Sequence, residues 1–334
     1  MASSVLPDRP TTLRALAAIL AVTVVGLLFI ASYAGALHDP RPHAVPVAVS
    51  GPPRLVAALE GSPALRVVRE RDAAAARRAV DRRQAYGAVI AGEASIGVVV
   101  APAASLPIAE LLRTELPRRL RAAGPVNVTT VHPLPRGDAR GIVAFYVAVG
   151  WVVAGYLAAS LLGIALGTRP GRARMAWRLG GVVLLGLLMG VGGTALGRAI
   201  GGFGGSFAGM AAIGALTVVA VGWVTVAAQA LLGILGTGVA ILLFVVIGNP
   251  SSGGPFAPEL LPEPWRAVGH LIPTGASVAG IRDVAYFPAA PLGGPLAVLL
   301  VWAAAGAALA LAVGGRGRPQ DPRAEAALAA AAAP

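Results

Sequence analysis

The chain has 334 residues, of which 56% are hydrophobic and only 13% are charged, and its mean hydropathy is +0.75. Five stretches, together nearly half of the chain, contain no Asp, Glu, Arg or His, and each is long enough for a membrane-spanning helix of about 20 residues. This composition excludes a soluble enzyme with one globular core and indicates an integral membrane protein. The charge-free stretches are residues 15–37, 141–168, 179–197, 199–258 and 284–315.

The formal net charge of +12 comes entirely from Arg, because the chain contains no Lys. The absence of Lys excludes a P-loop lysine and a Schiff base, and the absence of Cys excludes disulfides, thiolate metal sites and cysteine nucleophiles. More than half of the Arg residues lie between His38 and Arg140 beside nine carboxylates, which is typical of a mixed soluble surface. No basic stripe with interleaved aromatic residues occurs, so nucleic acid is not an expected partner.

The first apolar run, residues 15–37, predicts transmembrane helix one. A signal peptide ending at Ala34-Gly35-Ala36 is the alternative, because this triplet has the small-x-small form of a cleavage site. The length of the run favours the anchor, since a signal-peptide core has only about 7–15 apolar residues. Residues 1–37 are therefore interpreted as a cytoplasmic N-terminus followed by helix one.

Residues 38–140 hold most of the charged side chains and predict a small α/β domain facing water. Asp72 is suited to cap a helix running through Arg83, and Ser105 with Pro107 is suited to open another that Pro117 should end or kink. His38, His43 and His132 match no metal-ligand spacing and are interpreted as surface residues. Short strands are predicted at residues 45–49, 65–68, 88–90, 97–100 and 126–131.

Residues 141–314 predict a membrane domain of five further helices. The apolar run 207–248 would be about 63 Å long as one helix, twice the hydrocarbon thickness, so it must turn back near Gln229 and the glycines at 233–238. The predicted fold is a mainly α membrane protein with six transmembrane helices and an α/β domain inserted between helices one and two. Helix two is 141–168, helix three 179–197, helices four and five lie within 207–248, helix six is 293–314, and an Ala-rich tail occupies 315–334.

The Arg distribution in short loops predicts the orientation, because cytoplasmic loops carry the excess of positive charge. With a cytoplasmic N-terminus, the inside segments hold three times as many Arg residues as the short outside loops. We therefore expect a multi-pass protein of the cell membrane with both termini cytoplasmic. The α/β domain and the segment 249–292 are then outside. The inside Arg residues are 9, 14, 169, 172, 174, 178, 316, 318 and 323, and the outside ones are 198, 266 and 282.

The predicted spans contain no carboxylate, although proton- or sodium-coupled transporters usually keep ionisable side chains there at a cost of about 3 kcal/mol or more. A self-contained proton-driven pump is therefore disfavoured. Helix three instead carries glycines that recur at a spacing of four residues, a pattern that allows close backbone packing within a bundle or across a dimer. The helix-packing glycines are Gly186, Gly190, Gly193 and Gly197.

The segment 249–292 has the most specific motifs. Leu261-Pro262-Glu263-Pro264-Trp265-Arg266, Leu271-Ile272-Pro273-Thr274 and Gly280-Ile281-Arg282 predict two short helices of a segment that dips into the outer leaflet and returns. This arrangement resembles the membrane subunits of type-2 ABC exporters. The large domain after helix one and the run Gly248–Gly254 are similar to the YhgE/Pip (phage infection protein) branch in its short high-GC bacterial form.

The resemblance implies a permease subunit that dimerises, as a homodimer or heterodimer, and moves a hydrophobic or amphipathic substrate outward. A separate cytoplasmic nucleotide-binding ATPase would supply the energy, so the chain itself is not expected to be an enzyme, and no cofactor or metal is expected. The re-entrant outer loop would use Pro262, Trp265, Arg266, Pro273, Thr274 and Arg282, and the ATPase-coupling loop would use Arg172, Arg174 and Arg178.

A second hypothesis is a non-transporting envelope scaffold or receptor that displays the 38–140 domain. Its support is the shortness of the cytoplasmic segments and the lack of charge in the spans. A membrane enzyme is the weakest reading, because no nucleophile, acid–base pair or metal set can be identified.

Overall fold

The computed structural model describes residues 9–314, which are mainly helical with one small sheet. Five helices are long and apolar enough to cross a membrane, which confirms the class of fold. The predicted tail 315–334 lies outside the described residues. The five helices are α1 (Arg9–Leu37), α5 (Val143–Leu166), α6 (Arg172–Gly201), α7 (Phe207–Leu232) and α12 (Gly293–Gly314).

The chain divides into two compact units. Of the described residues, the first unit comprises 9–80, Gln84–Val131 and Leu242–His270. The second comprises Asp81–Arg83, His132–Ile241 and 271–314. Each unit therefore combines segments that are distant in the sequence.

The first unit contains a five-stranded sheet of order β2-β1-β3-β4-β5, in which every pairing is parallel except β3 with β4. All five predicted strands are confirmed. The helix α2 was not predicted from the sequence. The elements are β1 (Val45–Ser50), α2 (Pro53–Glu60), β2 (Leu65–Arg69), α3 (Ala73–Asp81), β3 (Gly87–Ala91), β4 (Ile96–Val100), α4 (Leu106–Leu120) and β5 (Val126–Thr130).

Alternation along β1 builds the core of this sheet. Val45, Val47 and Val49 point to one face and pack in one cluster with the apolar sides of α2 and α4. Asp72 caps α3 as predicted: it accepts the Ala75 N–H at 2.6 Å, and this bond lowers the pKa of the exposed Asp72 carboxyl. Pro117 lies inside α4, which continues to Leu120, so this residue does not end the helix.

The apolar run 207–248 turns back at Gly233, whose positive φ of 63° follows the end of α7. The helix that follows runs from Leu235 to Ser251 through α8 (Leu235–Ala240), a π-helical stretch and α9 (Gly248–Ser251). It is shorter than the five candidate spans. A Cβ at Gly236 would overlap the backbone of Ala228, so glycine allows the returning chain to lie against α7.

In the second unit, α7 is the most buried candidate span, with 67% of its most apolar window buried against at most 39% elsewhere. Glycines on three neighbours let their backbones approach it. A Cβ would lie 2.8 Å from Val218 O at Gly155 of α5, 2.9 Å from Ala215 O at Gly186 of α6, and 2.7 Å from Val224 N at Gly306 of α12. The bundle is therefore packed around α7 by backbone contact.

The glycine seam between α6 and α7 generates a stability prediction. We expect Gly190→Ala to lower the free energy of unfolding by about 1–3 kcal/mol, because its Cβ would overlap Ala211 O in the α7 backbone. Gly192→Ala is the matched control, since nothing lies within 4 Å of a Cβ there. Thermal unfolding in detergent, followed by tryptophan fluorescence, measures both. Equal melting temperatures for the two variants would contradict a seam at Gly190.

Candidate functional site

The segment predicted as an outer loop contains two helices, α10 (Trp265–Gly269) in the first unit and α11 (Pro273–Tyr286) in the second. Trp265 packs beside Gly35 near the end of α1, where it donates its indole N–H to Ser32 Oγ at 3.0 Å. Arg266 forms an ion pair at 2.8 Å with Glu263, which lies just before α10. Pro262 is half-buried beside them. Trp265 therefore attaches α10 to α1, and the charge of Arg266 is paired with that of Glu263.

One end of α11 lies level with the interior of a candidate span. The Trp302 indole N–H donates to Leu271 O, just before α11, at 2.7 Å. Trp302 lies about 13 Å along α12 from its first residue, in a helix about 33 Å long at 1.5 Å per residue. The other end of α11 lies beside the chain that joins α6 to α7, where Tyr286 meets the Phe203 ring edge-on at 5.8 Å. The Leu271 end of α11 therefore lies beside the interior of α12, and its Tyr286 end lies beside the α6–α7 connection.

Polar side chains of α11 are buried in this position. Thr274 and Ser277 are fully buried, and the Ser277 hydroxyl hydrogen-bonds Thr217 near the middle of α7. Arg282 and Asp283 are 5% and 7% exposed near the other end of the helix. Because buried polar groups are costly in an apolar bundle, their accumulation on one short helix marks α11 as the candidate functional element.

The short segment Asp81–Arg83 holds the polar end of α11. The Arg83 guanidinium donates to Asp283 Oδ1 at 2.6 Å and to Ala279 O at 2.9 Å. Burial raises the pKa of Asp283 above its ordinary value, and the Arg83 and Arg282 cations counteract this rise. Arg83 adopts a φ of 55°, a left-handed conformation that is uncommon for residues other than glycine.

His132 is not a surface residue, which corrects the sequence interpretation: its side chain is 19% exposed and its ring packs on Phe287 at 4.5 Å. One ring nitrogen lies 2.8 Å from Asp81 Oδ1 and the other 3.0 Å from Tyr286 O. Both partners are acceptors when Asp81 is ionised, so both bonds form together only if both ring nitrogens carry protons. His38 is exposed and His43 is half-buried.

The predicted coupling loop is shorter than expected, because α6 begins at Arg172 and helix three therefore starts seven residues before Leu179. Arg172 and Arg174 are exposed on its first turn. Arg178 is fully buried and is not available to a partner, which corrects the prediction for that residue. The connection between α5 and α6 is limited to residues 167–171.

Arg178 is the hydrogen-bonding centre of this end of the second unit. Its guanidinium donates to Gly167 O at 3.2 Å and Thr168 O at 3.1 Å, just past the end of α5, and to Ala159 O at 3.2 Å. It also donates to Gln229 Oε1, whose amide nitrogen donates to Thr237 Oγ1 at 2.8 Å. Arg178 on α6 is therefore linked to α5 through carbonyl oxygens, and to α7 and α8 through the Gln229 amide.

The helix-packing glycines of α6 all face neighbours within the second unit. A Cβ at Gly190 would overlap the α7 backbone, one at Gly193 would overlap the Trp151 ring of α5, and one at Gly197 would lie 2.7 Å from the Phe203 ring. The sequence around Arg178 has the spacing of a buried helical face. Met175, Arg178, Val182 and Gly186 recur at spacings of three and four residues and share one buried face of α6.

No group of three or more His, Cys, Asp or Glu in the described residues is arranged to hold a metal ion. The chain matches no protein-family model, no curated protein and no solved structure. Function is therefore argued from the site itself.

Arg178→Leu should lower the free energy of unfolding by about 1–3 kcal/mol, because it leaves Gln229 and three carbonyl oxygens without their donor. Arg172→Leu, at the exposed start of the same helix, should have little effect. Arg178→Lys should be destabilising too, since an ammonium lacks the planar fork that reaches several acceptors. Unfolding of the purified variants in one detergent measures the difference. A wild-type melting temperature for Arg178→Leu would contradict the role of this side chain.

Proposed function

We propose that this chain is the membrane-spanning permease subunit of an ABC-type exporter that moves a hydrophobic or amphipathic substrate outward. The proposal rests on the position of α11. The Leu271 end of this helix contacts Trp302 well inside the length of α12, and polar side chains of α11 are buried in the second unit. Irregular or polar backbone at membrane depth is tolerated only where protein or a cavity surrounds it, as it is in transport pathways. The sequence resemblance to type-2 exporters and to the phage infection protein branch supports the same proposal.

The source of energy in this proposal is a separate ATPase. The five candidate spans contain no Asp or Glu, so they lack the carboxylates on which proton and sodium coupling depends. Arg178 is ionisable and buried, but its guanidinium is bonded to carbonyl and amide oxygens. Arg172 and Arg174, exposed at the start of α6, are the proposed contacts for the ATPase.

The proposed topology has both termini in the cytoplasm and six crossings of the cell membrane. The helix Leu235–Ser251 would provide the sixth crossing. Because it is shorter than the other spans, neighbouring protein would have to surround the rest of the crossing. The sheet-containing domain of residues 38–140 would lie outside, and α10 and α11 would form the re-entrant pair. Two copies, or this chain and a related one, would complete the exporter.

A scaffold or receptor that displays the sheet is the second candidate function. It is favoured by the sheet having its own buried core, built from β1, β4, α2 and α4, in which many side chains are fully buried. In that function the membrane helices anchor the display of the sheet and no substrate crosses.

Affinity purification of the full-length chain from native membranes tests the exporter. We expect a nucleotide-binding ATPase to be recovered, and its recovery should fall at least about tenfold with Arg172→Glu/Arg174→Glu, which reverses the charge of the proposed contact. Arg77→Glu/Arg78→Glu on the exposed side of α3 is the matched control and should leave recovery unchanged.

Recovery of other envelope proteins without any ATPase would contradict the exporter and favour the scaffold. Deletion of residues 45–131 separates the two further. A scaffold loses its partners with the sheet, whereas partner binding that survives the deletion together with a transport or resistance phenotype contradicts the scaffold.

A further inference from the structure

The first unit contains an open cleft of about 540 Å³ on the face of the sheet that carries α2 and α4. This volume lies within the range of about 300–1,000 Å³ that is usual for small-molecule sites. The cleft is bounded by the first half of α2, the β3–β4 turn and the end of α4, and it is named here the α2–α4 cleft. Its floor is formed by Leu55, Ile96 and Leu120, and its rim carries Arg54, Arg119 and Glu93.

The topology places this cleft where open α/β sheets bind ligands. After β1 the chain passes through α2 to β2 on one side, whereas after β3 it continues to β4 on the other side. The carboxyl ends of the adjacent parallel strands β1 and β3 therefore lie beside the cleft, at the edge of the sheet outside which open α/β sheets bind ligands. Pro52, just after β1, and Gly92, just after β3, both line the cleft.

The lining has an apolar floor and a charged rim. Leu55, Ile96 and Leu120 are at most 6% exposed within the fold, and they belong to the core cluster of the sheet. Arg54 and Arg119 are exposed on the rim, and in the described part of the chain neither guanidinium has an ion-pair or hydrogen-bond partner. With Glu93 as the single acidic residue, the rim has an excess of one positive charge.

We propose that the α2–α4 cleft binds a water-soluble amphipathic monoanion, such as a carboxylate with a short apolar tail. The tail would lie on the exposed lining residues Ala58 and Ala122, above the buried floor, and Arg54 and Arg119 would hold the anionic group through charge-assisted hydrogen bonds. Glu93 opposes the anion and limits its affinity. The site belongs to the first unit alone and is independent of whether the chain transports anything.

The test uses the full-length protein in nanodiscs of zwitterionic lipid and a photoreactive diazirine derivative of octanoate as the probe. Mass spectrometry of the cross-linked peptides measures where the probe attaches and the probe concentration that gives half-maximal labelling. Empty nanodiscs and the neutral octanamide analogue control for partition into lipid. We expect saturable labelling of α2, the β3–β4 turn and the end of α4 by octanoate, and at least about tenfold weaker labelling by the amide.

Variants separate the cleft from general attraction to a basic surface. Arg54→Gln/Arg119→Gln should raise the half-maximal concentration at least about tenfold, whereas Arg66→Gln/Arg77→Gln, which removes the same charge from exposed sites outside the cleft, should not. Ala58→Trp, an exposed lining position, should block labelling with both arginines intact, and Glu93→Gln should strengthen it. Any of three results would overturn the proposal. Labelling by octanoate does not saturate, it weakens equally in the two double arginine variants, or it is unchanged by Ala58→Trp.

Discussion

The close approach of neighbouring backbones to α7 is the constraint on which the second unit depends. Lipid offers little hydrophobic force between apolar helices, so contact area and backbone proximity have to hold them together. Gly155, Gly186, Gly190 and Gly306 remove side chains where α5, α6 and α12 meet α7. A Cβ at Gly214 on α7 itself would lie 2.5 Å from the Trp151 ring, whose indole N–H donates to Met189 O at 2.8 Å.

Two groups of buried charged side chains lie in this unit. At one end, the buried Arg178 cation donates to carbonyl oxygens of α5 and of the α5–α6 connection, and to the Gln229 amide oxygen. Towards the other end, α11 brings Thr274, Ser277, Arg282 and Asp283 into the bundle, and Arg83 and His132 pair with residues around it. The Arg178 contacts hold neighbouring helices together, whereas the other polar residues lie on or around α11, a helix that begins beside the interior of α12. That difference is why α11, and not Arg178, is assigned the functional role.

Regular patterns in the sequence were sufficient for most elements. The alternation in β1 and the cap at Asp72 specified strands and a helix locally, and the charge-free runs marked α1, α5, α7 and α12. The predictions for Arg178 and His132 are wrong because contacts with distant segments offset the cost of burying a charged or polar side chain. The sequence places Arg178 in a loop because the charge-free run begins at Leu179, yet carbonyls of α5 and of the α5–α6 connection accept hydrogen bonds from its buried guanidinium. His132 and Asp81 are 51 positions apart, and Arg83 and Asp283 are 200 apart, so no local spacing could indicate these pairs. The motif Leu271–Thr274 does predict α11. The depth of α11 is indicated by its contact with Trp302 of α12, which no local pattern could predict.

The depth of α11 is the central claim, and the cysteine-free chain allows it to be measured with single nitroxide labels. Leu271, just before α11, is 56% exposed, and Val301, within α12, is 66% exposed. Ala289 is exposed in the connection between α11 and α12. Labels at these positions in lipid nanodiscs report depth through the ratio of their collision rates with oxygen and with a water-soluble nickel complex. The account predicts that the label at Leu271 has nearly the ratio of that at Val301 and a much higher ratio than that at Ala289. A ratio at Leu271 equal to that at Ala289 would place α11 on the membrane surface and contradict the account.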